Sequence, residues 1–325
     1  MSIRILFLGR ESPLWIGLDE NQRDIEFKRE YSGEMSYVIE VMKKKDIDFK
    51  THFFEIGNDF SKLSSIFKKS GANIVFCDFY HNLANSGMKK WIFNELERQK
   101  IPHYLSSSDT MKLMYDKILC QKKLKSSGIE VLPFMRVDVN NFNSLNEFLN
   151  RHKKIILKPS QSYSSKGIAV FEDIHLAIYH TMFLKEQYSD VIAEKFLESK
   201  KEFQILIIGG KPEIYPVEIG IPLGKVYDRD MKEEHYKKNA VKSLDLNDRL
   251  IELGKIIYDI FGIHDLARID VISDSNNNLY PIDVNGIPYL AKINPNSGKN
   301  ASLTQIGKIH GRSYESLIME LLGFL

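Results

Sequence analysis

The chain has 325 residues, 43% hydrophobic and 27% charged, which excludes a disordered polypeptide and leaves material for more than one buried core. Lys and Arg total 45 against 43 Asp and Glu, a net charge of +2, so the basic footprint of a duplex-binding protein is missing and no nucleic-acid partner is expected. Cys77 and Cys120 make neither a C-x-x-C pair nor a disulfide framework, which suits a reducing cytoplasm. The apolar start is too short for a signal peptide, and no stretch approaches the roughly 20 apolar residues that span a bilayer. A soluble, cytoplasmic protein without a membrane partner is the expectation.

Along the first hundred residues strand-like and helix-like patterns alternate. Ile3–Leu8, Phe49–Ile56 and Ala72–Phe79 read as strands. Met35–Lys45, Phe60–Lys69 and Trp91–Arg98 read as helices, the first closing on a basic end that suits a helix C-terminus. Such alternation predicts a small doubly wound α/β unit. After Gly9 comes Arg10-Glu11-Ser12-Pro13 and no G-x-G-x-x-G, so NAD is not expected there. From Asp109 a second block begins: a helix over Met111–Ser127 stopped by Gly128, a strand over Glu130–Val137, and a helix over Leu145–Lys154. Strands follow over Lys154–Pro159, Gly167–Phe171, Val191–Leu197 and Phe203–Gly209. Ile219–Leu246 is polar and aperiodic and reads as a long lid-like loop. A helix over Asn247–Phe261, strands over Ala267–Ser273 and Leu279–Val284 around an Asn-rich turn, and a helix over Ser313–Leu322 complete the chain.

Four constellations carry chemistry. Tyr115-Asp116-Lys117 leads into a helix. Ile155-Ile156-Leu157-Lys158 delivers a cation beside the donor-rich loop Pro159–Gly167, a charge and an amide nest of the kind a triphosphate needs, although the Walker spacing is absent. Val191–Leu197 ends Glu194-Lys195-Phe196-Leu197, offering backbone groups and apolar walls to a flat ring, with Glu202 beyond it to meet sugar hydroxyls. Arg268-Ile269-Asp270-Val271 and Ile282-Asp283-Val284-Asn285 form a hairpin on which Asp270, Asp283 and Asn285 converge, because residues two apart share a face. Two carboxylates and an amide oxygen are hard ligands suited to Mg²⁺, and Arg268 points to the same face.

In this order the segments resemble the ATP-grasp superfamily, and within it the D-alanine–D-alanine ligase-like branch, from about Ile101 to the C-terminus. The resemblance implies an α/β (α+β ATP-grasp) fold. Its parts are a doubly wound unit at 1–108, a central lobe with a phosphate-covering serine loop at 109–193, and a C-terminal lobe with the metal and catalytic residues at 194–325. It implies that Lys117 and Lys158 contact the phosphates of ATP and that Ser164 and Ser165 close over them. Glu194, Lys195 and Leu197 would surround adenine and Glu202 the ribose. Asp270, Asp283 and Asn285 would hold two Mg²⁺ ions, with Mn²⁺ as an alternative. Arg268 would face the acyl phosphate and the tetrahedral intermediate. Tyr227–Lys232 is similar to the segment whose lysine reaches the γ-phosphate, so Lys232 joins Arg268 and Ser164 among the implied catalytic residues. The implied activity is ADP-forming amide synthesis from a small carboxylate and an amine. D-alanine–D-alanine ligation proper and a non-catalytic ATP-binding regulator are the alternatives, and a homodimer is left open.

The chain departs from that family at several points. Tyr163 stands for a glycine in the serine loop, Asp283 for a glutamate, and Glu233 for a tyrosine in the lid. Asn285–Tyr289 lacks a Pro-Gly turn, Leu290–Asn300 supplies no clear serine–leucine pair for an acceptor carboxylate, and Gly9-Arg10-Glu11 replaces a glycine-serine-glutamate signature, leaving Glu11 as a candidate for a substrate amine.

Overall fold

The computed structural model describes residues 3–10, 35–54, 60–77, 79, 81–83, 89–162, 167–188, 190–198, 201–210, 212–219, 241–242, 247–293 and 300–324. Three parallel strands, β1 (Arg4–Arg10), β2 (Asp48–Phe54) and β3 (Ile74–Cys77), form a sheet in the order β2-β1-β3. Consecutive residues Ile5, Leu6, Phe7 and Leu8 are all buried, as a strand covered on both faces requires. Helices α1 (Met35–Lys44), α2 (Leu63–Ser70) and α3 (Ile92–Arg98) accompany the sheet, and a short hairpin pairs β4 (His81–Leu83) with β5 (Lys89–Trp91). The α/β alternation expected for this region is therefore present.

The single helix expected over Met111–Ser127 is two helices, α4 (Ser108–Tyr115) and α5 (Lys117–Ser126). Asp116 between them is extended (φ −99°, ψ 106°), and its carboxylate takes the amides of Ile118 and Leu119 at 3.0 and 3.1 Å. An aspartate that caps a new helix ends the previous one.

Next comes a four-stranded antiparallel sheet in the order β6-β9-β7-β8, from β6 (Phe134–Arg136), β7 (Ile155–Pro159), β8 (Ala169–Phe171) and β9 (Val191–Lys195). Helices α6 (Asn143–His152) and α7 (Ile174–Gln187) cover one face, where Leu145, Leu149, Ile155, Leu157, Ala177, Leu184 and Ala193 make a small core. A larger antiparallel sheet runs β12-β11-β10-β13-β14, from β10 (Lys201–Ile208), β11 (Glu213–Ile219), β12 (Val241–Lys242), β13 (Leu266–Ser273) and β14 (Leu279–Asn285). Helices α8 (Asn247–Phe261), α9 (Ser302–Ile309) and α10 (Tyr314–Leu321) pack with it. Its core is continuous with that of the first sheet, through Met111, Met114, Cys120 and Leu124 of α4 and α5.

Helix α7, strand β11 and helix α9 have no counterpart in the expectations from sequence. Val241 and Lys242, expected inside a long loop, pair with Ile219 and Glu218 as a short strand. Most of that loop, residues 220–240, lies outside the described residues.

Candidate active site

The face of the small sheet opposite its core carries the first pair. Ile155, Leu157 and Ala193 point into the small core, so the alternate residues Lys158 and Glu194 share the other face. Glu194 lies opposite Ile156, and Lys158 two residues on, a diagonal within reach of long side chains. The Lys158 ammonium meets Glu194 Oε2 at 2.5 Å, with both side chains buried, while Glu194 Oε1 is buried and has no hydrogen-bond partner among the described residues. Lys195 ends the strand half-buried, and Leu197 beyond it is half-buried too.

At the start of α5, Lys117 is buried, and its ammonium donates to the Ser162 carbonyl at 2.9 Å. The same ammonium is 3.8 Å from Asp283 Oδ2 on β14. It therefore spans from the end of the small-sheet strand segment to the large sheet. Behind it the thiol of Cys120 is fully enclosed, and burial first, then the Asp283 carboxylate, push its pKa well up; Lys117 opposes this and Glu194 adds to it. One buried thiol thus senses the acidic residues of both sheets.

On the large sheet Arg268 is the direct partner of Asn285, and Asp270 that of Asp283, so all four side chains share a face. Ile269, Val271 and Val284 are fully buried on the other. Ile282 breaks this alternation: register slips between Asp270 and Val271, leaving Ile282 unpaired in a bulge and half-buried. Arg268 grips Asp270 with both nitrogens, Nε to Oδ1 at 2.8 Å and Nη2 to Oδ2 at 2.9 Å. The Asn285 amide donates to Asp283 Oδ2 at 3.4 Å. Among the described residues no group of three or more His, Cys, Asp or Glu is arranged to hold a metal; the set here is two carboxylates and an amide, each carboxylate already facing a cation. Glu202 and Gln204 lie on β10, Gln204 directly opposite Asp270, and both are buried. Gln204 accepts from the Ser302 hydroxyl at 2.9 Å, which brings the first turn of α9 to this face.

Ser164, Ser165, Lys232 and Glu11 lie outside the described residues, as do Tyr163, Tyr227 and Glu233. Lys117, Lys158, Glu194, Asp270, Asp283, Asn285 and Arg268 occupy connected positions, with Glu202 on the adjoining strand. Three residues were given no role in the expectations. Asp116 reads in sequence as one more polar helix position. Ser302-Leu303 lies just past the Leu290–Asn300 stretch in which a serine–leucine pair was sought, with Ala301 between, and the signal for it was the helix that starts at Ser302.

A family model described as the D-ala D-ala ligase C-terminus matches residues 124–323. A D-alanine–D-alanine ligase of Pseudoalteromonas translucida is 26% identical over 235 residues, which cover 70% of this chain and 72% of that protein. The D-alanine–D-alanine ligase of Bacillus anthracis, solved with ATP, superposes with a TM-score of 0.68 at 18% identity, covering 99% of this chain and 97% of that one. The D-alanyl-alanine synthetase A of Vibrio cholerae gives 0.69 at 14% identity, with 100% and 99% covered. The mixed helix-and-sheet architecture is thus the ATP-grasp fold expected from the ordered motifs. With well over half its length matched by that model, the chain belongs to the D-ala D-ala ligase C-terminus family.

Proposed function

We propose that this protein is an ATP-dependent carboxylate–amine ligase acting on small amino-acid substrates through an acyl phosphate. The observation that carries this reading is the reach of Lys117, which touches the Ser162 carbonyl beside the Lys158 strand and approaches Asp283 beside Arg268 and Asp270. A cation at that junction can neutralise phosphate on one side of a cleft while hard oxygen ligands gather on the other.

Lys117 and Lys158 bind the nucleotide phosphates, joined by Ser164, Ser165 and Lys232. Glu194, Lys195 and Leu197 receive the adenine, and Glu202 the ribose. The buried, unpartnered Glu194 Oε1 supports this, since it is an acceptor waiting for a donor such as an exocyclic amine. Asp270, Asp283 and Asn285 are the residues to hold Mg²⁺, and their all-oxygen donor set fits it. An ion held there would supply positive charge against the transferring phosphoryl group. Arg268, held in place by Asp270, faces the reacting acyl carbon and stabilises the oxyanion that develops there.

In the reaction a substrate carboxylate oxygen bonds to the γ-phosphorus as the bond to ADP breaks. An amine then attacks the acyl carbon, loses a proton and expels inorganic phosphate. Ser302-Leu303, at the start of α9 and linked through Gln204 to the Asp270 face, is the candidate site for the acceptor carboxylate. D-alanine in both positions is the first substrate pair to test. The departures at Asp283, Tyr163 and after Asn285 favour a related amino acid or small carboxylate instead.

The same proposal divides the chain at 1–108, 109–193 and 194–325. It includes a cytoplasmic location, supported by Cys77 and Cys120 as buried thiols outside any disulfide. A net charge of +2 supports leaving nucleic acid out. A homodimer is supported by the exposed apolar row Leu176, Tyr179 and Met182 on α7. No helix among the described residues is long and apolar enough to cross a membrane.

The test is a phosphate-release screen over pairs of D- and L-amino acids with Mg-ATP. At least one pair should give ADP, phosphate and an amide in equal amounts, and the Asp270→Asn variant should not. ATP binding with no phosphate release from any pair would favour the non-catalytic regulator.

A further inference from the structure

At the break between α4 and α5, one carboxylate, that of Asp116, makes contacts on both sides of a joint between α5 and the segment after β7. Its Oδ1 accepts from the Ser160 hydroxyl at 2.6 Å as well as from the amides of Ile118 and Leu119, and its Oδ2 accepts from the Gln161 side-chain amide at 3.0 Å. The backbone strengthens the joint: Lys117 N donates to Ser160 O at 2.9 Å, while Ser160 N donates to Asp190 O at 2.7 Å and so holds Ser160 to the small sheet. Ser160 and Gln161 follow directly on the strand that carries Lys158, and Asp116 directly precedes Lys117. The two lysines come from elements 41 positions apart in sequence, and the Asp116 carboxylate ties those elements together beside the Lys117 bond to the Ser162 carbonyl.

We propose that Asp116 is a positioning residue that fixes Lys117 and Lys158 relative to each other, so that both ammonium groups meet one polyphosphate. This rests on the reading of those lysines as phosphate-binding. The physical logic is preorganisation. A long lysine side chain loses rotamer freedom when it binds, and holding its backbone in advance leaves less to be ordered by the ligand. Lys117 shows the result, since its ammonium already bonds the Ser162 carbonyl beside the tied segment. An ordinary helix cap would need only the Ile118 and Leu119 amides. The contacts to Ser160 and Gln161 serve the joint.

The experiment compares the affinities of Mg-ATP, Mg-ADP and adenosine for the wild type and for Asp116→Ala, Asp116→Asn, Lys117→Ala and Lys158→Ala. Adenosine makes no phosphate contact, so a general loss of folded protein weakens all three ligands alike. Asp116→Ala should weaken ATP about tenfold relative to adenosine, the order of loss when the ligand must itself order a long side chain. Asp116→Asn keeps an oxygen for the helix amides but turns a donor toward Gln161, so relative to Asp116→Ala it should recover part of the thermal stability and part of the ATP affinity. If Lys117→Ala and Lys158→Ala leave the ATP-to-adenosine ratio at its wild-type value, the phosphate reading of the lysines fails, and with it the proposal. If they lower the ratio and Asp116→Ala does not, the phosphate reading stands and the positioning role is overturned. Should Asp116→Ala not fold, Ser160→Ala and Gln161→Ala each remove one contact of the joint. An unchanged ratio in both would overturn the proposal equally.

Discussion

Lys158 and Glu194 face each other in a setting where neither charge is cheap to leave alone. Breaking a buried ion pair from one side strands the other charge, so Lys158→Ala should destabilise the fold by about 3–5 kcal/mol as well as weaken ATP binding. The double variant Lys158→Met/Glu194→Leu should recover much of the thermal stability and none of the nucleotide affinity; recovery of both would remove the pair from the site. Asp116 gives a pH-dependent counterpart. Partial burial raises its pKa, but the hydrogen bonds from Ser160, Gln161, Leu119 and Ile118 outweigh that and hold it below the usual carboxylate value. A depressed folded pKa means that the stabilisation is complete above the unfolded pKa and disappears as pH falls through the folded one. The Tm gap between wild type and Asp116→Asn should therefore stay constant near neutrality and close below about pH 4, the unperturbed aspartate range. A gap that persists at lower pH would show that the charge is not what matters. Lys158, Asp270, Asp283 and Arg268 were legible in sequence because each interrupts an apolar strand. Asp116 was not, because a capping aspartate and an exposed one read alike until the Ser160 partner, 44 residues away, is known.

Among the elements, the β13–β14 hairpin carries Asp270, Asp283 and Asn285, the proposed Mg²⁺ ligands. Asp270→Asn and Asp283→Asn each remove charge from the exposed face and leave the buried face untouched. Turnover should fall about 10²–10³-fold with circular dichroism unchanged. Near wild-type turnover at saturating Mg²⁺ would take that residue out of the ligand set. The turn after the phosphate-side strand is constrained differently. Gly167 has φ +75°, and a Cβ there would come within 2.7 Å of Leu184 Cδ2 and 2.9 Å of Pro159 Cγ. Gly167→Ala should cost about 1–2 kcal/mol from backbone strain alone, read by chemical denaturation. The β13–β14 strands were readable because one face is apolar and the other is not. Helix α7 was hidden because Leu176, Tyr179, Met182 and Phe183 are apolar yet exposed, while the inward face includes Ala177 and Thr181, which leaves no helical stripe. Strand β11 was hidden by Pro216, a residue that argues against a strand interior in sequence.

Among the described residues the chain has two hydrophobic cores of unequal size. The first parallel sheet and the large antiparallel sheet share the larger one, and polar ties reinforce it: Leu105 N to Asp265 Oδ2 at 2.8 Å, Thr110 Oγ1 to Phe261 O at 2.8 Å, and Tyr104 OH to Leu322 O at 3.0 Å. That sharing has no local signal, since it joins residues more than a hundred positions apart. The small sheet has its own, lesser core and meets the rest chiefly through α5. Amides of β7 and β9 should therefore exchange at lower free energy than those of β10 and β13, and Mg-ATP should slow them more. Equal protection without nucleotide would mean that the small sheet is not a separate unit of stability. Attack of a substrate carboxylate oxygen on the γ-phosphate leaves an isotopic trace. With a substrate carboxylate labelled with heavy oxygen, a pair that supports turnover should deliver one labelled oxygen into the inorganic phosphate released, alongside ADP. Unlabelled phosphate, or label found in AMP, would contradict it.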